Sequence, residues 1–491
     1  MSEIQAPPDI EPRLSSGAMK LRQKKLNRLP WDHSGRHPGS PFFWNIIRLM
    51  IGVGIRYIFR KREFDKIPDF EGGRILSSIH INGLVDPSVI VAAQDRRIIS
   101  MGRHDLMTMP LIGWITRRMG SQPVIRKPEI EFGLTDEEYA KKINDRTLLT
   151  MTNCIASGYN ALVMPEGRSH QDSKLHRFKT GPMRFALNAA TLARHKGKSN
   201  PALQPVGLHY RCHFWFRTDV FVEFASPIEV LAPNIEGIGS VLSSGEWREP
   251  PPTEVNLLRE ELFSALTKIT PDAPDWETYR AWHLIAHARA NRDSKPLMTF
   301  KDEVLSARYV RDSISQIESE HKLMKPSIQA AKILHSNNLD GRALRTFENA
   351  KKGSLIKAIS GILLMLVASP ISIISTGLQA LVAVVFAERT DEGIDARTTY
   401  YLLAAMFSPV LFWPPIAFAI SLLFHPLSFT TPILMAIIML LFHLSNQIFL
   451  YGYDLLVDYF FWRKSHRFSK TDQGNKLRIL MKEVSSNLNL L

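Results

Sequence analysis

Two runs without a charged side chain constrain this 491-residue chain more than any other feature. Ala358 to Ala387 holds thirty residues, and Thr398 to Tyr453 fifty-six, with no Asp, Glu, Lys or Arg. About 20 apolar residues cross a bilayer as a helix, and a soluble core helix seldom stays uncharged for so long. The chain is therefore expected to be an integral membrane protein, with embedded helices over 351–453. Pro370 lies near the middle of the first run, where its ring removes a helix hydrogen bond. That predicts a broken pair of short helices over 358–387 that dips in and returns. Residues 400–452 then form one full hairpin with its tip near Pro426.

The rest of the chain is of another kind. Charged residues make up 22% and apolar ones 45%, which excludes wholesale disorder and low-complexity fibres. The net charge of +14 fits nucleic acid, an anionic membrane surface or phosphorylated substrates. Its distribution decides between them. Cations flank the apolar runs at 345–357 and 463–482, the positive-inside pattern, so 454–491 is expected as a basic cytoplasmic tail. No zinc-finger or aromatic RNA-binding signature is present, which argues against nucleic acid as a partner. Two cysteines, Cys154 and Cys212, cannot make a disulfide framework or a four-thiolate zinc site.

Residues 1–38 are polar with a basic run from Lys20 to Arg28, read as a disordered arm without a signal peptide. Residues 39–66 contain FFWNIIRLMIGVGIRYIF, which carries Arg48 and Arg56 and suits a helix lying in the membrane interface. A helix buried on the next domain is the alternative. Over 67–232, strand-like RILSSI, RIISM, ALVM, ALQPVGL and VFVEF alternate with helix-like stretches. This predicts an α/β domain with a mixed, mostly buried sheet and flanking helices. Residues 233–350 read as a charged helical segment, with Asp275 as an N-cap.

Four segments of the α/β domain could carry chemistry. His80 ends the first strand and Asp86 follows a loop later. An Asp can fix a His tautomer and free the other ring nitrogen to take a proton from an alcohol. A polar turn at Asn82-Gly83 is the plainer reading. Arg126 follows a short strand after Gly120 and could clamp a phosphate, or simply be a surface arginine. Glu166, Gly167, Arg168 and Ser169 crowd one loop after ALVM, as in loops that hold polar ligands. Pro205 and Val206 lie in an apolar strand that suits a pocket wall or the core.

The order and spacing of these four segments resemble the motifs of the membrane glycerophosphate acyltransferases, over about 67–232. Two departures are similar to the fungal-type glycerol-3-phosphate and dihydroxyacetone-phosphate acyltransferases and their bacterial relatives. Five residues separate His80 from Asp86 where the wider family has four, and the third motif ends Arg168-Ser169-His170. Thr270 to Glu277 also resembles a segment of that subgroup. Ile79, Gly83 and Met164 depart from the usual residues, which leaves the acyl acceptor open.

The resemblance implies phospholipid biosynthesis, with an acyl thioester (acyl-CoA or acyl-carrier protein) as co-substrate. Neither a metal nor another cofactor is implied. His80 and Asp86 would be catalytic, Arg126 and Glu166 to Ser169 would hold the glycerol phosphate, and Pro205 and Val206 would face the acyl chain. The domain would lie on the cytoplasmic face among membrane lipids. Two alternatives stay open. One is a lysophosphatidate acyltransferase; the other is a non-catalytic lipid-binding scaffold.

Overall fold

The computed structural model describes residues 18–491 except 30, 318–319, 349–351, 390–396 and 425. Its centre is an eight-stranded mixed sheet in the order β1-β7-β6-β2-β5-β3-β4, with β8 also on β6. The strands are β1 (Phe59–Phe64), β2 (Arg74–Ser77), β3 (Ile98–Arg103), β4 (Gln122–Val124), β5 (Asn160–Val163), β6 (Ala202–Tyr210), β7 (Thr218–Phe224) and β8 (Ile228–Glu229). The expected strands are all present. β2, β5 and β6 are buried throughout. That is why they read as unbroken apolar runs rather than alternations. β2, β3, β4, β5 and β6 run parallel, whereas β7 runs against β6.

The helices named here are α1 (Pro41–Ile58), α2 (Val85–Ala93), α3 (Glu137–Ala156), α4 (Gly181–His195), α5 (Pro252–Ile269), α6 (Trp276–Arg292), α7 (Phe300–Ile314), α8 (Glu320–Ser336), α9 (Leu355–Arg389), α10 (Arg397–Phe424), α11 (Thr431–Phe468) and α12 (Asp472–Asn487). α3 and α4 supply much of the apolar cover on the sheet. Asp275 caps α6 as expected, accepting from the Thr278 amide at 2.7 Å.

Three boundaries differ from expectation. The basic arm is folded from residue 18 onward, because Leu26 is buried against Ile125, Ala140 and Ile143. Residues 1–17 lie outside the described residues. The sheet begins at Phe59 rather than 67, since β1 pairs with β7. α1 just before it buries Trp44, Ile47, Ile51 and Ile55 on the domain and exposes Phe42 (72%) and Leu49 (70%). It thus has an inner apolar face and an outer apolar stripe. The third difference is the tail. α12 repeats apolar residues at helical spacing, and Leu477 and Val484 are fully buried with Leu284, Ile285 and Leu334 of α6 and α8. The tail completes the core of the helical segment.

α9, α10 and α11 are long and apolar enough to cross a membrane. Pro370 breaks no chain continuity: α9 runs on through a π-helical turn at Ile373–Gly377. α10 has a similar turn at Ser408–Phe412, containing Pro409. Such turns bend helices. The contacts trace the path. Gly361 lies against Gly452, and Ser372 and Ser445 hydroxyls meet at 3.2 Å. Asn446 donates to Ser375 at 3.0 Å, so α9 stops advancing along α11 there. Beyond the bend, Phe386 packs on Tyr400, while Tyr401 and Tyr453 both touch Phe216 of the sheet domain. Both ends of α9 therefore lie on the side of the sheet domain.

Candidate active site

β2, β5, β3 and β4 are parallel neighbours, so their carboxyl ends share one edge. Ser77 stands opposite Val163, Ser100 opposite Leu162, and Arg103 opposite Val124. The loops after these ends carry His80, Glu166 and Arg126. Ligands of open α/β sheets bind outside such an edge.

His80 and Asp86 form a dyad. Asp86 is fully buried in the first turn of α2. Its Oδ2 accepts from His80 Nδ1 at 2.9 Å and from the Ile81 and Asn82 amides at 2.8 Å each. Its Oδ1 accepts from the Tyr210 hydroxyl at 2.7 Å. An ionised carboxylate can only accept, so the His80 proton sits on Nδ1. Nε2 keeps its lone pair, on a side chain 20% exposed. Burial first, and the Asp86 charge second, push the Tyr210 pKa well above its ordinary value. Tyr210 therefore stays a donor. His213 is pushed down to about 4, mainly by burial, so it is neutral at pH 7. Its carbonyl accepts from Asn82 Nδ2 at 2.8 Å.

Glu166 faces inward. Its Oε2 accepts from the His80 amide at 3.0 Å, and its Oε1 from His170 Nε2 at 2.8 Å and the His176 amide at 2.7 Å. A carboxylate so engaged, 3% exposed, braces the loop that carries His80; it does not grip a phosphate. Gly167 takes the turn at φ +77°, a conformation that glycine adopts without strain. Arg168 and Ser169 are half-buried beside it.

Arg126 is also partly engaged. Its Nε and Nη2 donate to Glu129 Oε1 at 3.0 and 2.7 Å. A guanidinium has five N–H groups, so three are left over from this pair. β4 lies three strand spacings from β2, about 14 Å. Arg103, at the end of β3, stands one strand nearer to His80 and is paired with Asp105. Arg126→Ala is expected to raise the acceptor KM about tenfold or more, as for loss of a hydrogen bond to a charged group. The donor KM should change little, with unfolding temperature as the control. An effect on the donor alone would assign the phosphate to another cation, Arg103 or Arg168.

Pro205 stands opposite Ser77, and Val206 is in the core. Both are buried inside the sheet. What β6 presents to the dyad is Tyr210, five residues after Pro205. Tyr210 and Arg103 escaped the sequence reading. The only signal was their place at the ends of strands already recognised. Among the described residues, His170, Asp172 and His176 have metal-ligand spacing. Yet His170 Nε2 serves Glu166, its Nδ1 accepts from the Asp172 amide at 3.2 Å, and His176 Nε2 meets Asp172 at 2.6 Å. In this arrangement the cluster's ring nitrogens pair with Glu166 and with Asp172.

Residues 59–208 match the acyltransferase family model. The matched span begins with β1 and ends inside β6, so it covers most of the sheet and the loops that carry His80, Arg126 and Glu166. Among solved structures, the 1-acyl-sn-glycerophosphate (LPA) acyltransferase PlsC from Thermotoga maritima is similar at 16% identity. The match covers 40% of this chain and 78% of that one, with a TM-score of 0.28. A likeness of that size carries no argument about substrate. No curated protein matches the chain.

Proposed function

We propose that the protein transfers a fatty acyl group from an acyl thioester to a hydroxyl of glycerol 3-phosphate or dihydroxyacetone phosphate. The observation that carries this reading is the buried Asp86 holding His80 with Nε2 free, inside an acyltransferase domain. His80 Nε2 takes the proton as the acceptor hydroxyl oxygen attacks the thioester carbonyl. Asp86 stabilises the imidazolium, as a buried carboxylate does for a catalytic histidine. When the tetrahedral intermediate collapses, the C–S bond breaks and the imidazolium returns its proton to the leaving thiolate. Acylglycerol phosphate and free thiol are the products. Arg126 and Arg103 supply cations for the acceptor phosphate on the same sheet edge. The apolar helices would keep the enzyme in the membrane where its product belongs. Its domain would face the cytoplasm, where phosphorylated acceptors and acyl thioesters are metabolites.

The test is purified protein with labelled palmitoyl thioester, offered glycerol 3-phosphate, dihydroxyacetone phosphate and lysophosphatidate in parallel. Label in acylglycerol phosphate or acyl dihydroxyacetone phosphate supports the proposal. Transfer to lysophosphatidate alone would make it the second acylation instead. Full retention of label in the donor with all three acceptors would leave a binding scaffold.

A further inference from the structure

The loop between His80 and α2 is fastened from an unexpected direction. Asn82 is fully buried, and each of its polar groups is hydrogen-bonded. Its amide donates to Asp86 Oδ2 at 2.8 Å, and its Nδ2 donates to the His213 carbonyl at 2.8 Å. Its Oδ1 accepts from the Thr398 hydroxyl, in the first turn of the apolar helix α10. The neighbouring Thr399 Oγ1 accepts from the Leu84 amide at 3.1 Å. Between these two anchor points lies Gly83 at φ +42°, and Leu84 is 43% exposed. From the other side the loop is held at its start, where the Glu166 carboxylate accepts from the His80 amide and the His170 amide donates to the His80 carbonyl at 3.0 Å.

The fastening helix is itself seated. Thr398 is 3% exposed. One and two turns on, Leu402 and Met406 belong to the same apolar core as the sheet. They close on Gly54 of α1, where an added Cβ would come within 2.8 Å of either side chain. Arg397 pairs with Glu388 of α9, so the start of α10 is tied to the end of α9 as well. The contact is thus the tip of a docked element rather than a chance meeting of two threonines with a polar loop.

We infer that the first turn of α10 is a clamp on the catalytic loop, with Thr398 a positioning residue that acts on the His80–Asp86 dyad through Asn82. The inference rests on the acyl-transfer reading for its kinetic consequence, but not for its structural one. Asp86 takes two of its four hydrogen bonds from the backbone of this loop, at Ile81 and Asn82. Removing the Thr398 hydroxyl leaves the buried Asn82 Oδ1 short of a partner, which a folded protein avoids by moving the group. Movement of Asn82 displaces an Asp86 donor and with it the aim of His80. Misplacement by about 1 Å can cost 10²-fold in rate. The apolar C-terminal region would then be part of the catalytic apparatus as well as an anchor.

The experiment uses the full chain in lipid nanodiscs. Thr398→Val keeps the shape and removes the hydroxyl; Thr398→Ser restores it. Thr398→Val is expected to lower kcat about 10- to 100-fold with little change in either KM. Hydrogen exchange at the amides of residues 81–86 should speed up, and Thr398→Ser should return both towards wild type. Thr398→Ala replaces the Val variant if that fails to fold. Wild-type kcat together with unchanged exchange in the hydroxyl-less variant would overturn the clamp. So would a loss of kcat that Thr398→Ser shares in full. If the wild type transfers no acyl group, the functional reading falls, and the exchange measurement alone still decides whether Thr398 holds the loop.

Discussion

His80→Ala is expected to lower kcat by about 10²–10⁴-fold, the usual contribution of a positioned general base. The expectation is specific because the rest of the site should survive. Asp86 loses one of four donors and keeps the Ile81 and Asn82 amides and the Tyr210 hydroxyl. The buried carboxylate is therefore not stranded, which is what makes removal of one partner costly elsewhere. The backbone of His80 keeps its bond to Glu166. The side chain is 20% exposed and fills no core space that others depend on. Unfolding temperature should thus stay close to wild type while turnover falls. A variant with near-full turnover would show that His80 is not the base. A variant that unfolds would show that the dyad is structural.

The parts of this site that a reader of the sequence could find are those set by local pattern. Buried parallel strands announce themselves as short apolar runs, and the polar clusters directly after them fall on the carboxyl edge. His80, Arg126 and Glu166 were visible for that reason. Their orientation was not. Nothing in the order of residues says that Glu166 turns inward to the His80 amide rather than outward to a substrate. β1 was missed because its sequence, FRKREF, is charged, as edge strands often are to discourage stray pairing. It was read as the end of an amphipathic anchor. The folded part of the arm was hidden because Leu21 and Leu26 are isolated apolar residues in a basic run, and the partners Ala140 and Ile143 lie more than a hundred residues on. Thr398 is a similar case. A threonine at the start of an apolar run carries no mark of a contact with Asn82.

Cysteines placed at three points of the C-terminal region should respond to an impermeant thiol reagent in an all-or-none manner. In intact cells, a cysteine replacing Ser428 at the tip between α10 and α11 is expected to label. Cysteines replacing Glu388 and Lys482 are expected to resist until the membrane is opened. The native thiols should stay silent, since burial pushes the pKa of both Cys154 and Cys212 up to about 12 and the thiolate is the reactive form. The reasoning starts from the tail. If α9, α10 and α11 each crossed fully, α12 would lie opposite the sheet domain. Instead α12 shares a core with α6 and α8. Asp454 and Asp458 near the end of α11 pair with Arg217 and Arg60 of the sheet domain, the latter at 2.5 Å. With domain and tail packed together, an even number of crossings is expected. α9 is the helix expected to turn back. Its 35 residues would reach about 52 Å if straight, well beyond a hydrocarbon core of about 30 Å. The bend at Pro370 and the following π-helical turn brings its second half up beside α10 to the Glu388–Arg397 pair. Position 392, in the connection itself, lies outside the described residues, so Glu388 is the better probe. Cations outnumber acids after Tyr453, with Arg463, Lys464, Arg467, Lys470, Lys476, Arg478 and Lys482 against Asp454, Asp458, Asp472 and Glu483. Such an excess keeps a membrane-flanking segment cytoplasmic. Labelling at 482 from outside would refute the even count. Labelling at 388 with 482 protected would refute the returning path of α9.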